Sequence, residues 1–140
     1  MMQQNIAKIV EEDKSSSSPE RASAKLKEEN EVLFASAIAR VIDQTFLKKG
    51  VQKDELERIC KEAKKYNFRG LCVYPEHTKA VKKFLGGTDI KVITLIDEPT
   101  GSSLHEKRVK MVRESQGAGT DEVDVVMKIN DFKNGKYKDV

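Results

Sequence analysis

The chain has 140 residues, with 26 basic and 23 acidic side chains and a formal net charge of +3. That length allows one domain at most, and 38% hydrophobic residues make it too apolar for a wholly disordered chain. No apolar run approaches the ~20 residues of a membrane span, and the first residues have neither the apolar stretch nor the small-residue cleavage site of a secretory signal.

The expected location is therefore cytoplasmic, with no membrane partner. The basic residues, mostly lysine, alternate with Glu and Asp instead of forming a stripe, which argues against a nucleic-acid partner. Cys60 and Cys72 fit neither a metal spacing nor a C-x-x-C redox pair, and are expected to be reduced and buried. With two histidines and no clustered ligands, no zinc site is expected.

In chain order, residues 1–18 end in Asp13-Lys14-Ser15-Ser16-Ser17-Ser18 and are expected to be a flexible lead-in, with at most a short helix at 6–10. Ser18-Pro19 is an N-cap followed by a first-turn proline. Leu26, Leu33, Phe34, Ala37 and Ile38 then recur at helical spacing, which predicts an amphipathic helix over 19–38. The β-branched run at 41–45 reads as a strand. Leu56, Ile59, Cys60 and Ala63 mark one face of a helix over 53–66.

Residues 70–74 form a second expected strand, stopped by Pro75, and 76–85 a helix that ends at Gly86-Gly87. A third strand is expected over 90–96. Ser103-Leu104-His105-Glu106 has the form of a capping box opening a helix to about residue 115. Residues 123–129 read as a fourth strand, and Asn134-Gly135 as a turn. The mixed-sign helices at 53–65 and 79–83 read as a solvated outer layer. His77 and His105 read as surface residues or local caps with no assigned role.

A leading helix followed by β-α-β-α-β-α-β predicts an α/β fold with about four parallel strands and flanking helices, over a domain at 19–140. Parallel strands are buried on both faces, so the polar residues Asp43, Thr45, Thr94, Asp124 and Lys128 need a reason. Side chains alternate along a strand, which places Asp124, Val126 and Lys128 on one expected face. There Lys128 either neutralises Asp124 or reaches out at the strand end.

Four segments, in order, resemble the deoxyribose-phosphate aldolase family. Asp43-Gln44-Thr45-Phe46-Leu47-Lys48 is similar to its D-x-T-x-L-K motif at the end of strand one. Cys72-Val73-Tyr74-Pro75 resembles its Cys-aliphatic-Asn/Tyr-Pro motif on strand two. Val92-Ile93-Thr94-Leu95-Ile96, with Pro99 and Gly101, resembles the strand-three segment V-x-T-V-I-G-F-P-x-G. Asp121-Glu122-Val123-Asp124-Val125-Val126 resembles the Asp-Glu-aliphatic-Asp motif of strand four. The first 40 residues match only as a leading helix.

The resemblance implies the first half of a (β/α)8 TIM-type barrel. It implies a class I aldolase lineage that cleaves 2-deoxyribose 5-phosphate to glyceraldehyde 3-phosphate and acetaldehyde through a lysine Schiff base, with no metal and no cofactor. Asp124 matches the family's proton-transfer aspartate. Asp43 and Thr45 match residues that brace the site, Cys72 matches a cysteine near the pocket, and Thr94 joins it as a pocket residue.

The family's Schiff-base lysine, its companion lysine and its phosphate loops belong to strands five to eight, outside the match. The chain is therefore expected to be inactive alone, as a homodimer or with a chain that supplies the missing half-barrel; if active, it would take a small phosphorylated sugar or aldehyde. Asp97-Glu98 replaces Gly-Phe and sets two carboxylates near a mouth that should receive a phosphate. Lys128 has no counterpart in the family. As a substitute nucleophile it would be hampered by Asp124, because a two-unit rise in its pKa leaves ~100-fold less free amine. The alternative is a non-catalytic protein- or ligand-interaction module derived from the barrel.

Overall fold

The computed structural model describes residues 18–140. Residues 1–17, with most of the expected lead-in and the short helix at 6–10, lie outside the described residues. Contacts divide the chain into two compact units, between Ala37 and Ile38. The first is built on helix α1, Pro19–Ala39, which matches the expected span. Ser18 caps it, its Oγ accepting from the Arg21 N–H at 3.4 Å. Leu26, Val32, Leu33 and Phe34 on this helix are each at least 60% exposed. No described helix is long and apolar enough to cross a membrane.

The second unit holds a four-stranded sheet in the order β1-β2-β3-β4, all pairs parallel. The strands are β1 Asp43–Phe46, β2 Gly70–Val73, β3 Lys91–Ile96 and β4 Glu122–Val125. Between them run α2 Lys53–Tyr66, α3 Pro75–Phe84 and α4 His105–Gly117, and α5 Ile129–Lys133 follows. The core packs Leu56, Ile59, Cys60 and Ala63 of α2 and Val81 of α3 against Leu71, Val73 and Val92 of the sheet. Burying each large aliphatic side chain contributes roughly 1.5–3 kcal/mol. All four residues of the expected α2 stripe are buried. Both cysteines are buried free thiols, as the sequence predicts.

Local chemistry sets the boundaries. Helix α2 closes on Asn67, whose φ of 54° is the left-handed conformation asparagine tolerates, and the Phe68 N–H returns to the Ala63 carbonyl at 3.2 Å. Strand β1 starts two residues later than expected. The N–H groups of Val41 and Ile42 are taken by the carbonyls of Ile38 and Ala39, so these two residues finish the helix.

Two expectations are corrected at the C-terminal ends of β3 and β4. The capping box at Ser103 does not form: α4 starts at His105 after Leu104, without a side-chain cap. The Ser103 N–H donates instead to Asp97 Oδ2 at 3.0 Å. The fourth strand stops at Val125 rather than running to residue 129. Val126 still donates to the Ile96 carbonyl at 3.0 Å, but its own carbonyl accepts from Arg108 Nη2 at 2.6 Å, and the Ile129 N–H is drawn to the Thr100 carbonyl. Gly101, at φ 64°, backs directly onto the carbonyls of Val126 and Met127, a position no Cβ could share. The chain is thus turned into α5, and Lys128 becomes its N-cap residue rather than a strand residue.

Asp121 links three elements just before β4. Its Oδ1 accepts from Lys82 Nζ of α3 at 2.6 Å, and its Oδ2 from the Val92 N–H of β3 at 2.9 Å. Burial alone would raise its pKa, but the Lys82 and Val92 hydrogen bonds outweigh this and hold it below the usual aspartate value. A depressed native pKa contributes stability above the unfolded value, and that stability is lost as pH falls through the native one. Asp121→Asn should cost about 1–2 kcal/mol at neutral pH and flatten the acid limb of the stability curve below about pH 4. Urea unfolding across pH measures both, and an unchanged acid limb contradicts the assignment.

Candidate active site

Strand register sorts the polar residues by face. Asp43 pairs with Gly70, Cys72 with Ile93, and Leu95 with Asp124. Alternation then puts Asp43, Thr45, Gly70, Cys72, Ile93, Leu95, Glu122 and Asp124 on the side opposite the core residues Leu71, Val73 and Val92. Asp43, Thr45, Cys72 and Asp124 were all expected at the site, and they share this face.

Arg69, in the lead-in to β2, organises its N-terminal end. Its Nη1 donates to both carboxylate oxygens of Asp43 at 2.8 and 2.7 Å, and its Nη2 to both of Glu122 at 2.8 and 2.6 Å. Hydrogen bonds to Glu122 first, and to Asp43 second, drive the guanidinium pKa further above its ordinary value. Asp43 and Glu122 open β1 and β4, three strand spacings or about 14 Å apart on a flat sheet. Side chains standing upright on such a sheet would stay apart. Their convergence on one guanidinium marks this face as concave. Gly70 leaves the room required, since a Cβ there would lie 2.6 Å from Asp43 Oδ1 and 2.7 Å from Ile93 Cδ1.

Toward the C-terminal ends, the Cys72 thiol donates to Asp124 Oδ2 at 3.5 Å, across the intervening strand β3. Cys72 is buried, whereas Asp124 and Thr45 are exposed. Burial first, and then the Asp124 charge and hydrogen bond, push the Cys72 thiol up to about 12. An exposed carboxylate near the end of a strand on a concave face can exchange protons with a bound molecule; a thiol held neutral is a wall group.

Two expected site residues lie elsewhere. Thr94 is on the opposite, helix-covered face, fully buried, its Oγ1 within 2.8 Å of Thr78 Oγ1 and donating to Thr120 Oγ1 at 2.9 Å. It is out of the pocket because register pairs it with Val73, not with Cys72. Lys128 lines a separate hollow of about 320 Å³ with Thr100, Ser103, His105 and Asp131.

The carboxylates expected at the mouth are both compensated. Asp97, in the left-handed conformation at φ 64°, buries its side chain against Arg108, with Nε 3.5 Å from Oδ2. Glu98 sits 3.5 Å from Lys49 Nζ. His77 is not a surface residue: it is buried, and its Nε2 donates to the Lys48 carbonyl at 2.9 Å. Sequence reading missed Arg69 and the role of Glu122. The i, i+2 spacing of Glu122 and Asp124 was the available signal for the second. None existed for Arg69, whose reach depends on how the strands pair.

The thiol supplies a pH test. A raised native pKa contributes stability below the unfolded value of about 8.5, and that contribution is lost as pH climbs through the native value. At pH 8 the thiolate population of Cys72 should be about a thousandfold below that of a free cysteine. Iodoacetamide at pH 8, read by mass spectrometry, should leave Cys72 unmodified in the native chain and label it in urea. Asp124→Asn should speed native labelling; a free-thiol rate in the unaltered chain contradicts the geometry.

No family model matches the chain. Among curated proteins, the deoxyribose-phosphate aldolase of Aciduliprofundum boonei is 38% identical over 103 residues, which cover 74% of this chain and 46% of that one. The deoxyribose-phosphate aldolase of Staphylococcus saprophyticus is 35% identical over 102 residues, 73% of this chain and 46% of its own. Among solved structures, a Coccidioides immitis protein assigned to the same aldolases aligns at TM-score 0.70 and 28% identity, over 76% of this chain and 42% of that one. The tetrameric deoxyribose phosphate aldolase of Aeropyrum pernix shares the fold at TM-score 0.63 and 24% identity, over 69% of this chain and 41% of that one. The chain spans about half the length of the curated relatives it matches. By sequence and by fold the chain is similar to deoxyribose-phosphate aldolases, over about half the length of one.

Proposed function

We propose that this chain forms one wall of an aldolase active site, the half that carries the proton-transfer carboxylate, and that turnover requires a second set of strands to supply the amine. The reading rests on one observation above all: Asp124 stands exposed on the concave face, one residue from the C-terminal end of β4, with the Cys72 thiol beside it. Barrel enzymes do their chemistry at that end of the strands. The reaction is reversible cleavage of 2-deoxyribose 5-phosphate to glyceraldehyde 3-phosphate and acetaldehyde. A lysine of the other half would form the Schiff base, and Asp124 would carry protons to and from the carbon that gains or loses its bond. Asp43, held by Arg69, and Thr45 shape the floor and wall. Lys128 has no part in this scheme, because it lies past the end of β4, at the start of α5, and lines a hollow that does not include Asp124.

A cytoplasmic location and an assembled, oligomeric state belong to the same proposal. A second reading, an interaction module, is favoured by the exposed Leu26, Val32, Leu33 and Phe34 on α1.

Retro-aldol turnover of 2-deoxyribose 5-phosphate decides between them. The chain alone should give no rate above background. Mixed with the segment of the A. boonei aldolase that follows its match to this chain, it should turn over, and Asp124→Asn should lower kcat by about 10²–10⁴. Turnover by the chain alone, or a full rate with Asp124→Asn, contradicts the proposal.

A further inference from the structure

Asp124 sits on β4, whose single strand neighbour among the described residues is β3. Its side chain takes a hydrogen bond from the Cys72 thiol at 3.5 Å, and a thiol is a weak donor. The direction of the carboxylate is therefore set by the backbone that carries it. Before Asp124, the strand is fixed to α3 and β3 through Asp121. After it, the ladder ends where the Val126 N–H donates to the Ile96 carbonyl at 3.0 Å. The Val126 carbonyl, two residues past Asp124, accepts from Arg108 Nη2 of α4 at 2.6 Å.

The surroundings of Arg108 are unusual for a loop brace. Its side chain is only 17% exposed, and that of Asp97 only 7%. Even so, the shortest bond of the guanidinium goes to the strand end. Its Nε stands 3.5 Å from Asp97 Oδ2, and that oxygen accepts from the Ser103 N–H at 3.0 Å. Asp97 thus supplies the counter-charge a buried cation needs, while Nη2 remains free for Val126. A bond from a charged donor is roughly twice as strong as a neutral one. Asp97 itself holds φ 64°, a conformation that costs any residue with a Cβ. Its carbonyl accepts from the Gly101 N–H at 2.9 Å, and Gly101 presses on the carbonyls of Val126 and Met127. A glycine at position 97 would make the same turn without strain. What the aspartate adds is charge opposite Arg108. Strain of this kind gathers at functional sites.

We infer that Arg108, compensated by Asp97, is a positioning residue for Asp124. It holds the end of β4 so that the carboxylate stays beside Cys72 on the concave face instead of swinging into solvent. The inference rests on the role proposed above for Asp124 and adds the two residues that aim it.

Iodoacetamide labelling of Cys72 in the full chain reads that aim without any turnover. Arg108→Met should speed native labelling about three- to tenfold, the scale of coupling between groups that share a contact. In a chain already carrying Asp124→Asn, the same substitution should change the rate by less than about twofold, because the carboxylate it would misplace is gone. A brace with no such role would loosen Cys72 alike in both backgrounds, and equal factors in the two overturn the inference. Asp97→Gly keeps the turn and removes the counter-charge. It should speed labelling in the same Asp124-dependent way, and it decides the matter if Arg108→Met does not fold. An unaltered rate in either folded variant also overturns the inference.

In the assembly with the A. boonei segment, Arg108→Met should lower kcat about ten- to a hundredfold and leave KM within about twofold. A rise in KM at unchanged kcat contradicts a positioning role. Asp124-dependent labelling in a chain that no assembly brings to turnover refutes the aldolase reading and leaves the positioning intact. Turnover together with equal labelling factors does the reverse.

Discussion

A single guanidinium ties the first and last strands of the sheet together. Arg69 reaches from the start of β2 to carboxylates on β1 and β4, and each of its terminal nitrogens faces both oxygens of one of them. Paired, charge-assisted bonds of this kind carry geometry as well as energy, because the planar fork accepts partners only in fixed directions. The lead-in to β2 is itself anchored, with the Arg69 N–H bonded to the Ile42 carbonyl at 3.0 Å and the Lys91 N–H bonded to the Arg69 carbonyl at 2.9 Å. The cation therefore has backbone support on both sides, and the concave face inherits its shape from it. A stable floor at one end of the strands leaves the other end for chemistry.

That other end is braced by the loops rather than the strands. His77 holds the Lys48 carbonyl, Glu76 accepts from the Gly50 N–H at 3.2 Å, and Lys49 lies over the Tyr74 ring at 4.8 Å while facing Glu98. The loop after β1 is thereby tied to α3, to the end of β2 and to the loop after β3. Asp97 and Arg108 do the same for the next loop, joining the end of β3 to α4 and, through the Val126 carbonyl, to the end of β4. The two acidic residues that distinguish this rim are thus consumed in holding it together. Asp124 stays exposed inside it, on a strand whose position Asp121 fixes through β3 and α3.

The sequence carried the architecture well, because periodicity and punctuation are local. The stripe of Leu56, Ile59, Cys60 and Ala63 and the stop at Pro75 depend on no distant partner, and α2 and β2 fall where they imply. One strand's alternation sufficed to put Asp43 and Thr45 on one face of β1, whereas only the register across β2 and β3 brings Asp124 to that same face. It failed where tertiary contacts decide. Thr94 was assigned to the pocket, but only register against β2 fixes its face, and that register points it at Thr78. Lys128 looked like a strand residue because Val125, Val126 and Met127 continue the apolar run. The run is broken by Gly101 and Arg108, which lie more than fifteen residues away in sequence. Arg69 was invisible for the same reason, since both its partners come from other strands.

The most direct test of this picture looks at the guanidinium itself. Side-chain nitrogen NMR of Arg69 near neutral pH should resolve its two terminal nitrogens, with slowed rotation about the Nε–Cζ bond. Glu122→Gln and Asp43→Asn should each perturb a different one. A single averaged resonance, unmoved by either substitution, would mean that no such clamp exists and that the concave wall has lost its organising contact.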